Sequence, residues 1–325
     1  MTIKVFIDGE AGTTGLQIHQ RLASRRDIEL LQIAPEHRKE ETARAQLLNA
    51  ADVAILCLPD DAARAALRLI NADQVKVIDA STAHRVSPDW VYGFPEMRSG
   101  QREAIRSAKR VSNPGCYPTA FIALVAPLVR AGLIAADFPL TVNAVSGYSG
   151  GGKGLMEEFT GPTPRGSADA FRPYGLSLAH KHAPEMTLYA GLDHPPVFAP
   201  SVGRYAQGMI VEVPLQLWAL PGKPAAADLG ETLAAAYTGE RFVQVADEAE
   251  TAALQKARAG AGGYVEALDP EALNGSNCLK LYVFGNEALQ QARLVAVLDN
   301  LGKGASGAAV QSLNLMCGFD EDEGL

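Results

Sequence analysis

Ile3-Lys4-Val5-Phe6-Ile7-Asp8-Gly9-Glu10-Ala11-Gly12-Thr13-Thr14-Gly15 decides how the first part of this chain folds. The apolar run reads as a short strand, and it ends on a turn with the spacing GxxGxxG. A helix over 15–26 follows, with Leu16 and Leu22 facing inward. Strands over 28–34, 53–58 and 76–79 then alternate with helices over 40–49 and 62–70. Alternation at this spacing builds βαβ units and a parallel sheet. Strands buried on both faces are nearly continuous apolar runs, as these are. The first part is doubly wound α/β, a Rossmann-type parallel sheet.

Glycines at 9, 12 and 15 permit a pyrophosphate to come close to a helix N-terminus, where unpaired N–H groups point outward. Thr13 and Thr14 add hydroxyl donors. An ordinary glycine-rich helix start is the competing reading. After the second strand comes Pro35-Glu36-His37-Arg38-Lys39. Glu36 stands near the position where an acid holds a ribose 2′-hydroxyl, but Arg38 and Lys39 follow at once and suit a 2′-phosphate. NADP(H) is therefore expected over NAD, against the alternative of two solvated cations at a helix start.

Ser112-Asn113-Pro114-Gly115-Cys116-Tyr117-Pro118-Thr119 presents a cysteine at the start of a helix. Pro118 suits the first turn, and the apolar run over 121–129 buries the helix. The positive end of the helix dipole and the unpaired N–H groups favour thiolate, the nucleophilic form. The same N–H groups can hold an oxyanion when that thiolate attacks a carbonyl. The competing reading is a buried structural thiol.

Beyond Cys116 the pattern changes. A strand over 140–146 runs into Gly147-Tyr148-Ser149-Gly150-Gly151-Gly152-Lys153-Gly154, which opens a helix over 155–159 and suits an anionic group. A flexible surface loop is the alternative. Strands over 210–215 and 279–284, with fewer helices between them, indicate an α+β region with a mixed, largely antiparallel sheet. The alanine- and glycine-rich stretch over 221–263 is expected to hold a helix over 225–237 and loops. A closing helix is expected over 298–315 and a frayed acidic tail over 320–323.

Of the six histidines, His180 and His182 stand together in Tyr174-Gly175-Leu176-Ser177-Leu178-Ala179-His180-Lys181-His182-Ala183-Pro184-Glu185. In an extended segment their side chains share a face. They read either as an acid/base pair or as a surface or capping pair. No further ligand follows at metal-site spacing, so no metal is expected. His19 and His37 read as incidental; His84 and His194 stay open.

Composition sets the outer limits. A chain of 325 residues accommodates two domains, and 47% hydrophobic with 20% charged residues describes an ordinary globular protein. A net charge of −8 disfavours nucleic-acid binding. Four scattered cysteines without CxxC spacing give neither a disulfide framework nor a zinc site, and Cys57, Cys278 and Cys317 read as core thiols. No stretch is apolar for long enough to span a bilayer, and the start lacks a signal-peptide pattern. The expected location is the reducing cytoplasm, where a free thiol persists.

Taken in order, these motifs resemble the N-acetyl-gamma-glutamyl-phosphate reductases, in their shorter class. The resemblance runs from Gly9, Gly12 and Gly15 through Asp79-Ala80-Ser81-Thr82-Ala83-His84-Arg85, the cysteine octapeptide and Ser149-Gly150-Gly151-Gly152-Lys153. It continues through His180-Lys181-His182-Ala183-Pro184-Glu185-Met186 and Gly304-Ala305-Ser306-Gly307-Ala308-Ala309-Val310-Gln311. The resemblance implies an NADP-binding Rossmann domain over 1–116 with 299–325, whose C-terminal helix returns to it. It also implies a substrate-binding and oligomerisation domain over 117–298, and a homo-oligomer, dimer or tetramer. The implied reaction reduces an acyl phosphate to a semialdehyde with NADPH, releasing phosphate, in arginine biosynthesis.

By the same resemblance Cys116 is the nucleophile and His180 the acid/base group, with His182 and Tyr174 in support. Asn113 is a candidate for holding the oxyanion, and Arg85, Ser149, Gly150 and Lys153 for binding substrate phosphate and carboxylate. One departure is Phe198-Ala199-Pro200-Ser201, where longer members resemble Phe-x-Pro-His. Competing identities are aspartate-semialdehyde dehydrogenase or a related phosphorylating aldehyde dehydrogenase, a carrier-bound aminoadipate reductase, and a non-enzymatic NADP sensor.

Overall fold

The computed structural model of the chain describes residues 2–161, 169–256 and 266–325. Two compact units emerge: Met1–Gly115 with Ala305–Leu325, and Cys116–Gly304. The end of the alanine- and glycine-rich stretch, over 257–263, lies outside the described residues.

The first unit is built on β1 (Ile3–Asp8), α1 (Thr13–Leu22), β2 (Ile28–Leu31), α2 (Glu41–Ala50), β3 (Val53–Leu56), α3 (Asp60–Leu69), β4 (Lys76–Asp79), β5 (Val91–Tyr92), α4 (Gln101–Ser107) and β6 (Arg110–Ser112). The strands form one six-stranded sheet in the order β2-β1-β3-β4-β6-β5, and every pair is parallel. Its strand order reverses between β1 and β3, the place where open α/β sheets take their ligands at the carboxyl ends of strands. Both faces are covered by apolar clusters, one around Ile7, Ile55 and Leu313 and the other around Phe6, Ala54 and Leu56.

Two boundaries differ from expectation for identifiable reasons. Pairing of β2 with β1 stops at Leu31, opposite Phe6, and Pro35 then opens a short 3-10 turn, so the strand does not reach residue 34. Helix α1 begins two residues early, because Gly12 is extended and its carbonyl accepts from the Leu16 N–H at 2.8 Å.

The second unit holds α5 (Cys116–Arg130), β7 (Thr141–Gly147), α6 (Gly152–Thr160), β8 (Phe171–Pro173), α7 (Ala183–Ala190), β9 (Val197–Gly203), β10 (Met209–Gln216), α8 (Ala226–Ala236), β11 (Val243–Val245), α9 (Glu248–Gln255), β12 (Leu279–Asn286) and β13 (Gln291–Leu298). Its seven-stranded sheet runs β11-β12-β13-β10-β7-β9-β8. Two pairs, β11/β12 and β7/β9, are parallel and the others antiparallel.

Helix α5 is buried from Tyr117 through Leu128, so its apolar run is all core. Pro127 sits inside it and has no N–H to give the carbonyl of Ala123. The Tyr237 hydroxyl, just past α8, donates to that carbonyl at 2.9 Å and replaces the missing bond.

The chain ends in α10 (Gly307–Cys317), which belongs to the first unit. The closing helix does not start at residue 298, since Leu298 pairs with both Met209 and Leu279 in the sheet. A π-helical turn over Gly302–Ser306 precedes α10.

The acidic tail is not frayed. Glu321 accepts from Arg102 at 2.8 Å and from Gln311 at 2.7 Å. The carbonyl of Glu323 accepts from Arg25 and Asn314, and Leu325 packs on the apolar cluster. Burial of those partners is what a charge count over 320–323 could not reveal.

Candidate active site

Cys116 is the first residue of α5, and no acidic residue occupies the first turn to oppose a developing anion. It takes part in no disulfide and is half-buried. Gly304 lies directly against it: a Cβ at position 304 would stand 2.6 Å from the Cys116 Cβ. The π-helical turn that carries Gly304 is thus packed directly against Cys116.

A cavity of about 350 Å³ opens beside the thiol, lined among others by Ser146, Gly150, Arg172, Tyr174, His180 and His182. The histidine pair reaches it by a different local structure from the one expected. Residues 180–182 form a turn into α7, not an extended segment, and His182 occupies the position before the helix. The two imidazoles still meet, with ring centroids 4.8 Å apart. Both pack on the ring of Tyr117, and Phe198 closes the group at 5.0 Å from Tyr117 and from His180.

The backbone N–H of His182 donates to His180 Nδ1 at 3.2 Å. That bond needs a lone pair on Nδ1, so the neutral ring carries its proton on Nε2. Burial lowers the His180 pKa from its ordinary 6.5, and the Lys181 ammonium pushes the same way. The neutral form therefore persists to lower pH than in a free histidine.

The hydroxyls of Tyr174 and Tyr117 are hydrogen-bonded to each other at 3.0 Å. Burial pushes Tyr174 up to about 12, aided by Cys116, while the bond to Tyr117 works against the rise. Tyr117 is driven well above the usual phenol value, chiefly by burial. Neither phenol is a base near neutral pH.

Other candidates fall differently. Ser149 is buried behind the cavity and accepts from Asn300 at 3.0 Å, a structural bond. Lys153 does not line the cavity; its side chain is 78% exposed and 3.9 Å from Glu157, because α6 starts at Gly152 and turns it outward. In the first unit, Asn113 donates to the carbonyl of Ala305 at 3.0 Å, and its buried Oδ1 has no hydrogen-bond partner among the described residues. Arg85 is buried and donates to the carbonyl of Ala80 at 3.1 Å. His84, left open by the sequence, meets Asp79 at 2.6 Å and stacks on Trp90.

Sequence reasoning missed Tyr117, Ser146, Arg172 and Gly304. Tyr117 was within reach, being next to the candidate cysteine. Arg172 gives no local signal: its guanidinium is fixed by Glu158 and Asp169, each at 2.8 Å, and lies over Phe159.

At the carboxyl end of β1 the glycine turn has the shape of an anion cradle. Gly9 has φ +91°, and a Cβ there would meet the Cys57 carbonyl oxygen at 2.2 Å. A Cβ on Gly15 would meet the Gly9 carbonyl oxygen at 2.6 Å. Side chains are thereby excluded from the entry to α1, whose first turn carries no acid. Arg38 and Lys39 are exposed after β2 and make no hydrogen bond or ion pair among the described residues. The Cys57 thiol at the same edge is pushed up to about 12 by burial and by Asp79 and Asp8.

The chain matches the semialdehyde dehydrogenase NAD binding domain over residues 4–108 and the semialdehyde dehydrogenase dimerisation domain over 116–300. It is similar to N-acetyl-gamma-glutamyl-phosphate reductase 2 of Nostoc, with 53% identity across 99% of both chains. The N-acetyl-gamma-glutamyl-phosphate reductase of Chelativorans is 55% identical across 97% of this chain and 98% of its own. Among solved structures, aspartate semialdehyde dehydrogenase II of Vibrio cholerae shares the fold at a TM-score of 0.69, with 16% identity over 98% of each chain. An aspartate semialdehyde dehydrogenase of Candida albicans solved with NADP aligns at 0.63, with 14% identity over 98% of this chain and 99% of that one. By sequence over nearly its whole length, the chain belongs to the N-acetyl-gamma-glutamyl-phosphate reductases, within the semialdehyde dehydrogenase family.

Proposed function

We propose that this chain reduces N-acetyl-gamma-glutamyl phosphate to N-acetylglutamate semialdehyde and phosphate with NADPH, through a thioester on Cys116, as a step of arginine biosynthesis. The observation that carries the reading is a cysteine at a helix N-terminus sharing one cavity with His180, His182 and Tyr174. The residues present fit the cofactor: Gly9, Gly12, Thr13, Thr14 and Gly15 would hold its pyrophosphate, and Arg38 and Lys39 its 2′-phosphate. When bound, it supplies the hydride that the side chains cannot.

The Cys116 sulfur attacks the acyl carbon; a C–S bond forms, the C–O bond to phosphate breaks, and phosphate leaves with that electron pair and takes a proton from water. N–H groups of the first turn of α5 face the oxyanion, with Asn113 as a further donor. Reduction of the thioester carbon yields a tetrahedral adduct. Its C–S bond breaks, the electron pair returns to sulfur and the aldehyde leaves. His180 serves the adduct's oxygen through its Nε2–H, and no proton has to leave the ring. Arg85 and Gly150 are assigned to the substrate's anionic groups, Ser149 to the wall behind them. Lys153, pointing outward, is the weakest of these assignments.

Cofactor binding is assigned to 1–116 with 299–325, and substrate binding and oligomerisation to 117–298. The match to a dimerisation domain supports a homo-oligomer, dimer or tetramer. Among the described residues no helix is long and apolar enough to cross a membrane, and four cysteines outside any disulfide suit the reducing cytoplasm.

The test is the reverse reaction, followed as NADPH absorbance with phosphate and N-acetylglutamate semialdehyde, and aspartate semialdehyde in parallel. Phosphate-dependent NADPH formation from the acetylated aldehyde is expected. Activity confined to aspartate semialdehyde would keep the thioester and overturn the substrate.

A further inference from the structure

The wall of the cavity beside Cys116 holds two permanent cations and, among the described residues, no carboxylate. The two cations are not equivalent. Arg172 meets Glu158 and Asp169, each at 2.8 Å, so its charge is already balanced. Lys181 lines the same cavity, is exposed to solvent, and makes no hydrogen bond or ion pair among the described residues. An unpaired ammonium at the rim gives the cavity mouth a positive potential open to an incoming anion.

The turn that carries Lys181 is held in place. Leu178 adopts left-handed backbone at φ +59°, a conformation that costs a non-glycine residue free energy and persists where its surroundings fix it. Its N–H donates to the Gly175 carbonyl at 3.0 Å, and the Ala183 N–H donates to the His180 carbonyl at 3.0 Å. Lys181 thus extends from a fixed backbone, between the two histidines that share the cavity.

We infer that Lys181 is the specificity-determining residue that pairs with the α-carboxylate of an N-acylated substrate. This rests on the reaction proposed above. Acetylation removes the α-ammonium, so the carboxylate beside it keeps an uncompensated charge, and one point charge on a flexible stem matches it. The phosphate is bonded to the carbon that sulfur attacks and so belongs at the half-buried Cys116. The α-carboxylate lies at the other end of the carbon chain, toward the exposed rim. A free α-ammonium brought to the same place would meet a like charge, so Lys181 also selects against the unacylated amino aldehyde.

The experiment compares the phosphate-dependent oxidation of N-acetylglutamate semialdehyde with that of 4-acetamidobutanal, the same molecule without its carboxylate. In the full-length enzyme, Lys181→Met should shrink the ratio of the two kcat/KM values about tenfold, mainly through KM, the size expected for one lost charge-assisted hydrogen bond. Lys181→Arg should retain most of the ratio. Added salt should compress the ratio in wild type and leave it unchanged in Lys181→Met. A change in His180 acts on both aldehydes and cancels in the ratio. A ratio that survives Lys181→Met would overturn the inference. So would a raised KM for phosphate with the ratio intact, which would put phosphate on Lys181. Equal oxidation of both aldehydes by wild type would overturn it while the proposed reaction stood. If the wild-type enzyme oxidises neither aldehyde, the proposed reaction itself has failed, and the inference falls with it.

Discussion

Two glycine-rich turns in this molecule look alike in sequence and do different work. The first, Gly9 to Gly15, excludes side chains by backbone: Cβ atoms at 9 and 15 would run into carbonyl oxygens at 2.2 and 2.6 Å. What remains is an open helix entry. In the second, Gly147 to Gly154, the glycines serve close packing at one end, a left-handed backbone at Gly152 (φ +73°), and open space at Gly154. A Cβ on Gly147 would meet Ala206 at 2.7 Å and one on Gly151 the Leu155 side chain at 2.4 Å, whereas one on Gly154 would meet nothing within 4 Å. Glycine density is thus a poor guide to anion binding. The informative quantity is what a methyl group would strike, and only the fold supplies it.

The units that carry these turns should come apart under substitution. Cys116→Ser should lower turnover at least about a thousandfold while NADP(H) binding, read by fluorescence titration, stays within about twofold of wild type; loss of both would make the cysteine structural. His180→Asn should cost about a hundredfold or more in kcat, again with the cofactor still bound.

For His180 the sign of the pH effect follows from its environment. The proposed mechanism uses the neutral ring, and burial with Lys181 favours neutrality. The acid limb of the kcat/KM profile should therefore lie below pH 6.5, and Lys181→Ala, by removing the like charge, should move it upward. A limb that shifts downward in that variant would reverse the assignment.

Gly15→Ala should weaken NADPH binding about tenfold or more, because the added methyl strikes a carbonyl oxygen that cannot move aside cheaply. Gly154→Ala should leave both cofactor binding and turnover close to wild type, since open space receives its methyl. Equal effects from the two would erase the distinction drawn between the turns. Tyr237→Phe should cost about 1–3 kcal/mol of stability in thermal or urea unfolding, from leaving the buried Ala123 carbonyl without a donor.

Legibility of the sequence followed the range of the forces involved. The parallel sheet was readable because each strand there is a local apolar run, and β4 was found to the residue. β5, α4 and β6 were not found: they are two, seven and three residues long and depend on neighbours already in place. Cys116 and the histidine pair announced themselves by residue type. Lys153 misled, since a lysine among glycines reads as an anion site until the helix start turns it outward. The acidic tail misled in the opposite sense, as Arg25, Arg102 and Gln311 are remote in sequence and adjacent in space.

Pro127 has a consequence for how the molecule is made. Helix α5 lacks one internal bond, and its replacement arrives from a hydroxyl 114 residues further along. During synthesis the helix stands incomplete while the strands over 141–216 and α8 emerge. Completion of the helix that begins with Cys116 is thereby tied to the appearance of Tyr237, and a stall before that point leaves the Ala123 carbonyl without its donor.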